Sequence, residues 1–433
     1  MNGKAFGLLA LVVALVMLVS CAAGSVKQTP TVTHTPVEDA TLRFLHIWEE
    51  HSETMNAVVH AIEQENPGMR VEISTVGWDE LDRALTVAAG AEDMYDVFFQ
   101  FGSDLGSMKQ HGLLLELDPY MDEAWQNNFL DGALEEYRID ESLWGLPYRG
   151  SGVVMLYNRT MFAENGWSVP RTQSELIALM EEMVKKNLIP IAAAGRPDGF
   201  QLDALRAILT DYIAQEDGLL TDEERLTGRK TDWQGQLAMG AYTVKSWEEK
   251  NYFGPTALSV DQTTALNRFL SGKAAMLLCN TNDIHELRNQ TRYAPVDMGS
   301  FLVPGSTAES ELIFSNASFE DGFAIWSGTQ EPEQAVALLK GMTSPEYGSL
   351  WAEKTLSVMA LKDVKVEDAL LDEFNHYFGI AGKYAVKPDY DVGDSDKLKN
   401  ELFVNYMTSD MTADEYETNY ETIVKNAMRA ASK

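Results

Sequence analysis

Aromatic rings, amides and carboxylates stand at the ends of several apolar runs of this chain, or between them. Rings can stack on a small molecule while amides and carboxylates hydrogen-bond its polar rim. A pair of acids could instead hydrolyse a glycosidic bond. The candidate residues for these roles are Trp48, Glu49, His51, Trp78, Gln100, Phe101, Ser103, Asp104, Tyr148, Arg149, Asn280, Asn282, Asp283 and Asp321.

Most of these candidates also have a purely structural interpretation. Trp48 could belong to a core and Trp78 could cap one, while Glu49 and His51 could be exposed turn residues. Arg149 could grip an acidic ligand with both guanidinium nitrogens, or it could pair with a nearby acid. The sequence leaves these alternatives open.

Signatures of catalysis are missing from the sequence. Neither a Gly-x-Ser-x-Gly nucleophile elbow nor a His-Glu-x-x-His zinc helix occurs, and no phosphate-binding loop is found. His46, His51 and His60 do not keep metal-ligand spacing. The acidic segment 389–396 resembles a calcium loop, but its glycine is misplaced for an EF-hand, which favours a solvated turn. We therefore expect a binding protein rather than an enzyme, with no cofactor and no metal.

The first part of the chain alternates between strand and helix patterns. Apolar, β-favouring runs at 41–48, 71–76 and 95–99 are separated by helical spacing at 55–62 and 78–90. This β-α-β-α-β order predicts a parallel sheet with crossover helices. Ligands of such sheets bind beyond the carboxyl ends of the strands, where several of the candidates stand.

The N-terminus carries an export signal. Lys4 precedes an apolar run too short to span a bilayer comfortably, and small residues follow that run. The sequence Leu-Val-Ser-Cys ending at Cys21 is similar to a bacterial lipobox, in which the cysteine sulfur is acylated. We therefore predict a signal peptide at 1–20 and a lipid-anchored flexible linker at 21–40; an ordinary signal peptide is the alternative. Cys279 then has no disulfide partner, and its apolar surroundings favour a buried, inert thiol.

Composition limits the classes of partner. With 433 residues, 45% of them hydrophobic, the chain has room for two or three ordinary domains. The 66 acidic and 34 basic residues give a net charge of −32. Such a surface repels nucleic acid and argues against a polybasic membrane anchor.

Several patches, taken together and in order, resemble one family. They are the lipobox, the Trp48 strand, Tyr95-Asp96-Val97-Phe98, Gly145-Leu146-Pro147-Tyr148, Leu156-Tyr157-Asn158, Gly272-Lys273-Ala274-Ala275-Met276 and Gly322-Phe323-Ala324-Ile325. The chain resembles the family 1 extracellular solute-binding proteins, the lipoprotein receptors of sugar-importing ABC transporters. The resemblance implies an α/β, two-lobed periplasmic-binding-protein fold (type II), with a ligand cleft between lobes joined by three crossing segments. It places 41–148 plus 304–358 in lobe 1 and 149–303 plus 359–433 in lobe 2.

The resemblance also implies a function. The ligand would be a mono- or oligosaccharide, trapped by hinge closure and passed to the transmembrane permease subunits, and the receptor would be a monomer. Positions matching Gln100, Ser103 and Asp104 line the cleft in related receptors. The segment 280–283 lacks the stacking tryptophan that many relatives carry, which leaves the size of the sugar open, and Asp321 could instead belong to a helix N-cap. An amino sugar, a polyol or a uronate remains an alternative ligand.

The lipid tether indicates a location outside the cytoplasm. It would hold the receptor near its permease on a cell with no outer membrane, so we expect a Gram-positive surface. A surface-anchored sensor or adhesin with the same fold, or an extracellular glycan hydrolase, are the alternative functions.

Overall fold

The computed structural model describes residues 40–91, 93–196, 201–216, 237–291, 296–307, 317–381 and 395–431. The predicted signal peptide, Cys21 and all but the last residue of the predicted linker lie outside the described residues. So does most of the acidic segment predicted to be a solvated turn.

Five strands form the first sheet. They are β1 (Ala40–His46), β2 (Met69–Thr75), β3 (Val97–Phe101), β6 (Leu146–Ser151) and β11 (Ser318–Ile325), in the spatial order β2-β1-β3-β11-β6. β1, β2 and β3 run parallel, as the β-α-β-α-β pattern predicts, whereas β11 is antiparallel to both β3 and β6. The carboxyl ends of β1, β2, β3 and β6 therefore meet the start of β11 at one edge, which we call the ligand edge of the first sheet.

Four strands form the second sheet. They are β7 (Val153–Asn158), β8 (Ile189–Ala192), β9 (Ala274–Asn280) and β10 (Met298–Phe301), in the order β10-β7-β9-β8. β8 and β9 are parallel, and β7 is antiparallel to β9 and β10. Two very short strands, β4 (Arg138–Ile139) and β5 (Ser142–Leu143), form a separate hairpin. We call the parts of the chain built on the two sheets the first and second lobes.

Helices cover both sheets. They are α1 (Ser52–Glu65), α2 (Leu81–Gly90), α3 (Leu105–Gln110), α4 (Glu123–Gln126), α5 (Arg159–Asn165), α6 (Gln173–Lys185), α7 (Gln201–Glu216), α8 (Leu237–Glu249), α9 (Gln262–Leu270), α10 (Ile284–Thr291), α11 (Pro332–Met342), α12 (Pro345–Thr355), α13 (Ala369–Ala381), α14 (Ser395–Thr408) and α15 (Ala413–Ala431). Among the described residues, none of these helices has the length and apolar character needed to cross a membrane.

Local sequence signals account for where these helices begin and which face they bury. The apolar positions Met55, Val58, Val59 and Ile62 of α1 recur at helical spacing and are all buried in the first-lobe core, as predicted. Thr172 is the N-cap of α6. The Thr172 hydroxyl accepts the Glu175 N–H at 3.1 Å, and the Glu175 carboxylate accepts the N–H of Arg171 at 2.7 Å.

The chain passes between the sheets at Gly152, which joins β6 to β7. Its carbonyl accepts the Thr281 N–H at 2.8 Å, and its N–H donates to the Thr281 hydroxyl at 3.1 Å. Thr281 is fully buried, so this passage is held to the end of β9. β6 stays paired with β11 as far as Ser151, so Arg149 is part of the first sheet. The lobe boundaries given above stay a prediction.

A glycine allows β11 to fit against its neighbours. A Cβ at Gly322 would lie 2.2 Å from the Leu146 carbonyl oxygen and 2.3 Å from the Tyr137 hydroxyl oxygen. Gly322→Ala should therefore force β11 away from β6 and lower the free energy of unfolding by about 1–3 kcal/mol or more. Chemical denaturation measures this loss.

Gly90→Ala is the matched control, because no atom lies within 4 Å of a Cβ built at Gly90. Its stability should equal that of the wild type or exceed it slightly, since alanine is the better helix former. Equal stability of the two variants would contradict the close approach of β11 and β6.

Candidate functional site

The ligand edge of the first sheet brings together most of the first-lobe candidates. Short 3₁₀ turns follow three of its strands, at Glu49–His51 after β1, Trp78–Glu80 after β2 and Gly102–Asp104 after β3. Asp321 pairs with Phe101 on one side and with Arg149 on the other. The predicted grouping at the carboxyl ends of the strands is thus present in the fold.

An exposed aromatic pair stands on this edge. The Trp78 ring lies 4.8 Å from the Phe101 ring, centroid to centroid, and 65% of Trp78 is exposed. Phe99 supports Phe101 edge-on at 4.9 Å from below. A large ring held out into solvent on a packed neighbour offers a face on which an apolar ligand surface can stack.

Trp48 and Tyr148 lie behind the edge, in the core. Trp48 is 2% exposed and Tyr148 is fully buried. The Trp48 ring lies 5.0–5.7 Å from the rings of Phe99, Tyr148, Phe323 and Trp351. Burial raises the pKa of the Tyr148 hydroxyl well above its ordinary value. In this conformation the core interpretation of Trp48 fits, and both residues support the edge from beneath instead of lining it.

Arg149 forms an ion pair inside the edge. Its Nε donates to Asp321 Oδ2 at 2.5 Å, and its guanidinium carbon lies 4.8 Å above the Trp48 ring. The two charged side chains are only 12% and 10% exposed. Of the two interpretations of Arg149, pairing with an acid is the one that the structure shows, and Asp321 is that acid.

The remaining first-lobe candidates differ in their exposure. Glu49, Ser103 and Asp104 are exposed at the edge and can reach a ligand there. Gln100 is only 3% exposed, and its side-chain oxygen is buried with no hydrogen-bond partner among the described residues. Gln100 therefore lies beneath the exposed group rather than in it.

The second-lobe candidates surround the end of β9. Asn280 caps the following turn by accepting the Asn282 N–H at 2.8 Å, and its amide nitrogen donates to the Ser151 hydroxyl at 3.0 Å. Asp283 closes the capping box by accepting the Asn280 N–H at 3.3 Å. Asn282 Oδ1 is buried with no partner among the described residues. The capping roles of Asn280 and Asp283 explain these residue types structurally, while the amide of Asn282 has an unused acceptor.

A small cavity lies beside this turn. It has a volume of about 180 Å³ and is lined by Gln201, Gln262, Thr263, Asp283 and Glu286, together with apolar residues. Burial raises the pKa of Asp283 to about 6, against the lowering effect of hydrogen bonds from the Asn280 N–H and the Gln262 side chain. Cys279 also borders this cavity, and burial raises the pKa of its thiol, in keeping with the inert cysteine predicted.

Two histidines form one of the contacts between the lobes. The ring of His51, in the turn after β1, meets the ring of His285, on α10, at 4.8 Å between centroids and 86° between planes. The charge of Arg149 acts on both His51 and Asp283. The sequence analysis missed His285 and also Trp351, which packs on Trp48 and His51. The only signal for His285 was its place two residues after the predicted segment 280–283.

Comparisons with known proteins agree on one family. The model of the bacterial extracellular solute-binding proteins matches residues 48–349. An uncharacterized ABC transporter extracellular-binding protein of Pyrococcus horikoshii is 25% identical over 370 residues, which cover 83% of this chain and 82% of that protein. The multiple sugar-binding protein of Streptococcus mutans is 24% identical over 380 residues, 84% of each chain.

Solved structures show the same fold. The apo form of RafE from Streptococcus pneumoniae superposes with a TM-score of 0.75 at 19% identity, over 91% of this chain and all of that one. A chitin oligosaccharide binding protein superposes with a TM-score of 0.72 at 21% identity, over 90% and 99%. The predicted two-lobed α/β fold of the solute-binding proteins is confirmed.

Two tryptophans that look alike in sequence should respond differently to truncation. Trp48→Ala removes a buried ring and should lower the free energy of unfolding by about 3–5 kcal/mol, because the cavity collapses only in part. Trp78→Ala removes a ring that is mostly in solvent, and its effect should stay within about 0.5 kcal/mol. Thermal or urea unfolding of the two variants, beside the wild type, measures both. A stable Trp48→Ala protein would show that Trp48 is not part of the core.

Proposed function

Since this chain belongs to the bacterial extracellular solute-binding proteins, we propose that it captures a mono- or oligosaccharide between its lobes and delivers it to the permease of an ABC importer. The observation that carries the sugar assignment is the exposed Trp78 ring, held on Phe101 at the ligand edge. A sugar presents apolar C–H faces that stack on such a ring. The names of the relatives support the same ligand class, since one of them is a multiple sugar-binding protein.

Polar groups for the hydroxyl rim of a sugar flank the ring pair. Glu49, Ser103 and Asp104 are exposed on the first lobe. Asn282 in the second lobe contributes a buried amide oxygen that has no partner among the described residues. A ligand that bridges the lobes would donate hydrogen bonds to acceptors of both lobes at once. Because it could do so only in the closed form, it would bind that form more tightly than the open one. The protein would thus act as a binder and not as an enzyme.

The charge of the site favours a neutral sugar over a uronate. Arg149 is the cation that could grip a carboxylate, but it is already paired with Asp321. Glu49 and Asp104 add exposed negative charge to the same edge, and the whole chain carries −32. An acidic sugar would have to displace Asp321 and approach these carboxylates, which costs electrostatic free energy.

The family places the protein outside the cytoplasm, and the N-terminal sequence supplies the proposed anchor. Acylation of Cys21 would attach a monomer to the cell membrane through the linker 21–40, on a Gram-positive surface. Two lobes, with the predicted boundaries 41–148 plus 304–358 and 149–303 plus 359–433, would then move relative to each other. The tether keeps the receptor concentrated near its permease.

A thermal-shift screen tests the sugar assignment. The panel consists of neutral mono- and oligosaccharides, including raffinose, maltotriose and chitin oligosaccharides. At least one of them should raise the melting temperature by several degrees, because a ligand at about 100 times its Kd stabilises the folded protein by about 2.7 kcal/mol. Galacturonate and glucuronate oligomers should give no shift. Trp78→Ala should unfold at the wild-type temperature without ligand but lose most of the shift. If no sugar in the panel stabilises the wild type, the assignment is wrong.

Cell fractionation tests the anchor. The wild-type chain, expressed in a Gram-positive host, should sediment with membranes and partition into detergent, because its acyl chains insert into lipid. Cys21→Ala should appear in the medium, whereas the control Cys279→Ala should remain with the membranes. Complete retention of Cys21→Ala on the cells would rule out the lipid anchor.

A further inference from the structure

The contact between His51 and His285 joins two titratable rings from opposite lobes. The two imidazoles meet edge to face, with centroids 4.8 Å apart. We propose that this pair must be uncharged for the lobes to stay together, so that closing the cleft is linked to loss of a proton. The link to ligand capture rests on the function proposed above, but the effect on the lobes does not.

The surroundings of His51 oppose its charged form. The residue is 7% exposed, and its ring packs edge-on against Trp351 at 5.7 Å. Burial lowers the pKa of His51, and the positive charges of Arg149 and, when protonated, His285 lower it further. The neighbouring Glu50 raises it, with its Oε1 3.8 Å from Nε2 of His51, but this carboxylate is exposed and the lowering effects prevail.

Polar side chains of α10 surround His285. Nδ2 of Asn289, one turn later on α10, lies 3.3 Å from Nδ1 and 3.5 Å from Nε2 of His285. Glu286 is the adjacent acid on the same helix, and Asp283 stands in the turn before it. Burial raises the pKa of Asp283 to about 6, so this carboxylate itself loses its negative charge as the pH falls from 8 to 5.

The sign of the effect follows from these contacts. With the lobes together, a proton on His51 faces the charge of Arg149, and a proton on either ring faces the other ring at 4.8 Å between centroids. With the lobes apart, water would screen these charges. Protons therefore favour the open form. If closing lowers the pKa of the histidine pair by one unit, the equilibrium constant for closing falls tenfold at low pH. Closure should be independent of pH well above the ordinary histidine value of about 6.5 and should weaken as pH falls below it.

His46 is the other buried histidine near the edge, and it acts within one lobe. Its Nδ1 accepts the Trp48 N–H at 3.2 Å, its Nε2 lies 3.1 Å from the Thr75 hydroxyl, and burial lowers its pKa to about 4. Its protonation lowers the stability of the first lobe without separating the lobes. Circular dichroism can follow that loss separately from a change in distance between the lobes.

A spin-label distance measurement tests the proposal without any sugar. Nitroxides are attached to cysteines placed at Thr86 on α2 and Ala178 on α6, two exposed helix positions on different lobes. The full chain carries Cys21→Ser so that only the introduced cysteines react, since Cys279 is buried. Distances are recorded from pH 8 to pH 5, while circular dichroism verifies that the protein stays folded. Variants His285→Gln and His51→Gln are compared with His60→Gln, which removes a histidine from the exposed side of α1.

The expected result is a shift towards longer distances in the wild type as the pH falls through about 6, with the short-distance population reduced at least threefold by pH 5. His285→Gln should reduce or abolish this shift, and His60→Gln should match the wild type. If His51→Gln does not fold, the distance shift of His285→Gln alone tests the proposal. An unchanged distance in folded wild type at pH 5, or an undiminished shift in His285→Gln, overturns the proposal. The distance measurement uses no ligand. Its result therefore does not depend on whether the thermal-shift screen finds a sugar that binds.

Discussion

The packing of five aromatic rings behind the ligand edge is the constraint on which the rest of the site depends. Phe99, Tyr148, Phe323 and Trp351 come from β3, β6, β11 and α12, and Trp48 follows β1. The centroid of the Trp48 ring lies 5.0–5.7 Å from those of the other four. Aromatic side chains bury more apolar surface than any others, and edge-to-face contacts fix their orientation. The cluster therefore sets how the first-sheet strands end, and with that where the exposed side chains stand.

The ion pair above this cluster neutralises the positive charge of Arg149 at the edge where a ligand would bind. Burying two charges is costly unless they are paired in good geometry, and Arg149 meets this condition with Asp321 on one side and the Trp48 face on the other. One consequence is structural, because the pair ties β6 to β11. The other concerns recognition: with its cation occupied, the edge offers rings and acceptors rather than a positive charge.

The two lobes are joined at Gly152 and also share apolar contacts, such as the Phe319 ring of β11 with the Phe378 ring of α13 at 5.3 Å between centroids. Gly152 is held to Thr281 by two backbone-involving hydrogen bonds, so the passage from β6 to β7 stays fixed to the end of β9. Arg149 acts electrostatically on His51 in the first lobe and on Asp283 in the second.

The sequence by itself determined the elements, the family and the set of candidate residues. Helical spacing identified the buried face of α1, and the order of strand and helix patterns placed the candidates at one edge, because these signals are local. The tertiary structure shows where each candidate lies and what it contacts. Trp48 and Trp78 both follow a strand in sequence, yet one is buried and the other is exposed. This difference in burial arises because rings from distant segments of the chain pack around Trp48, and no local sequence pattern predicts such packing. The same holds for the pairing of Arg149 with Asp321, 172 residues away, and of His51 with His285, because burial and charge at a position are properties of neighbours that only folding brings together.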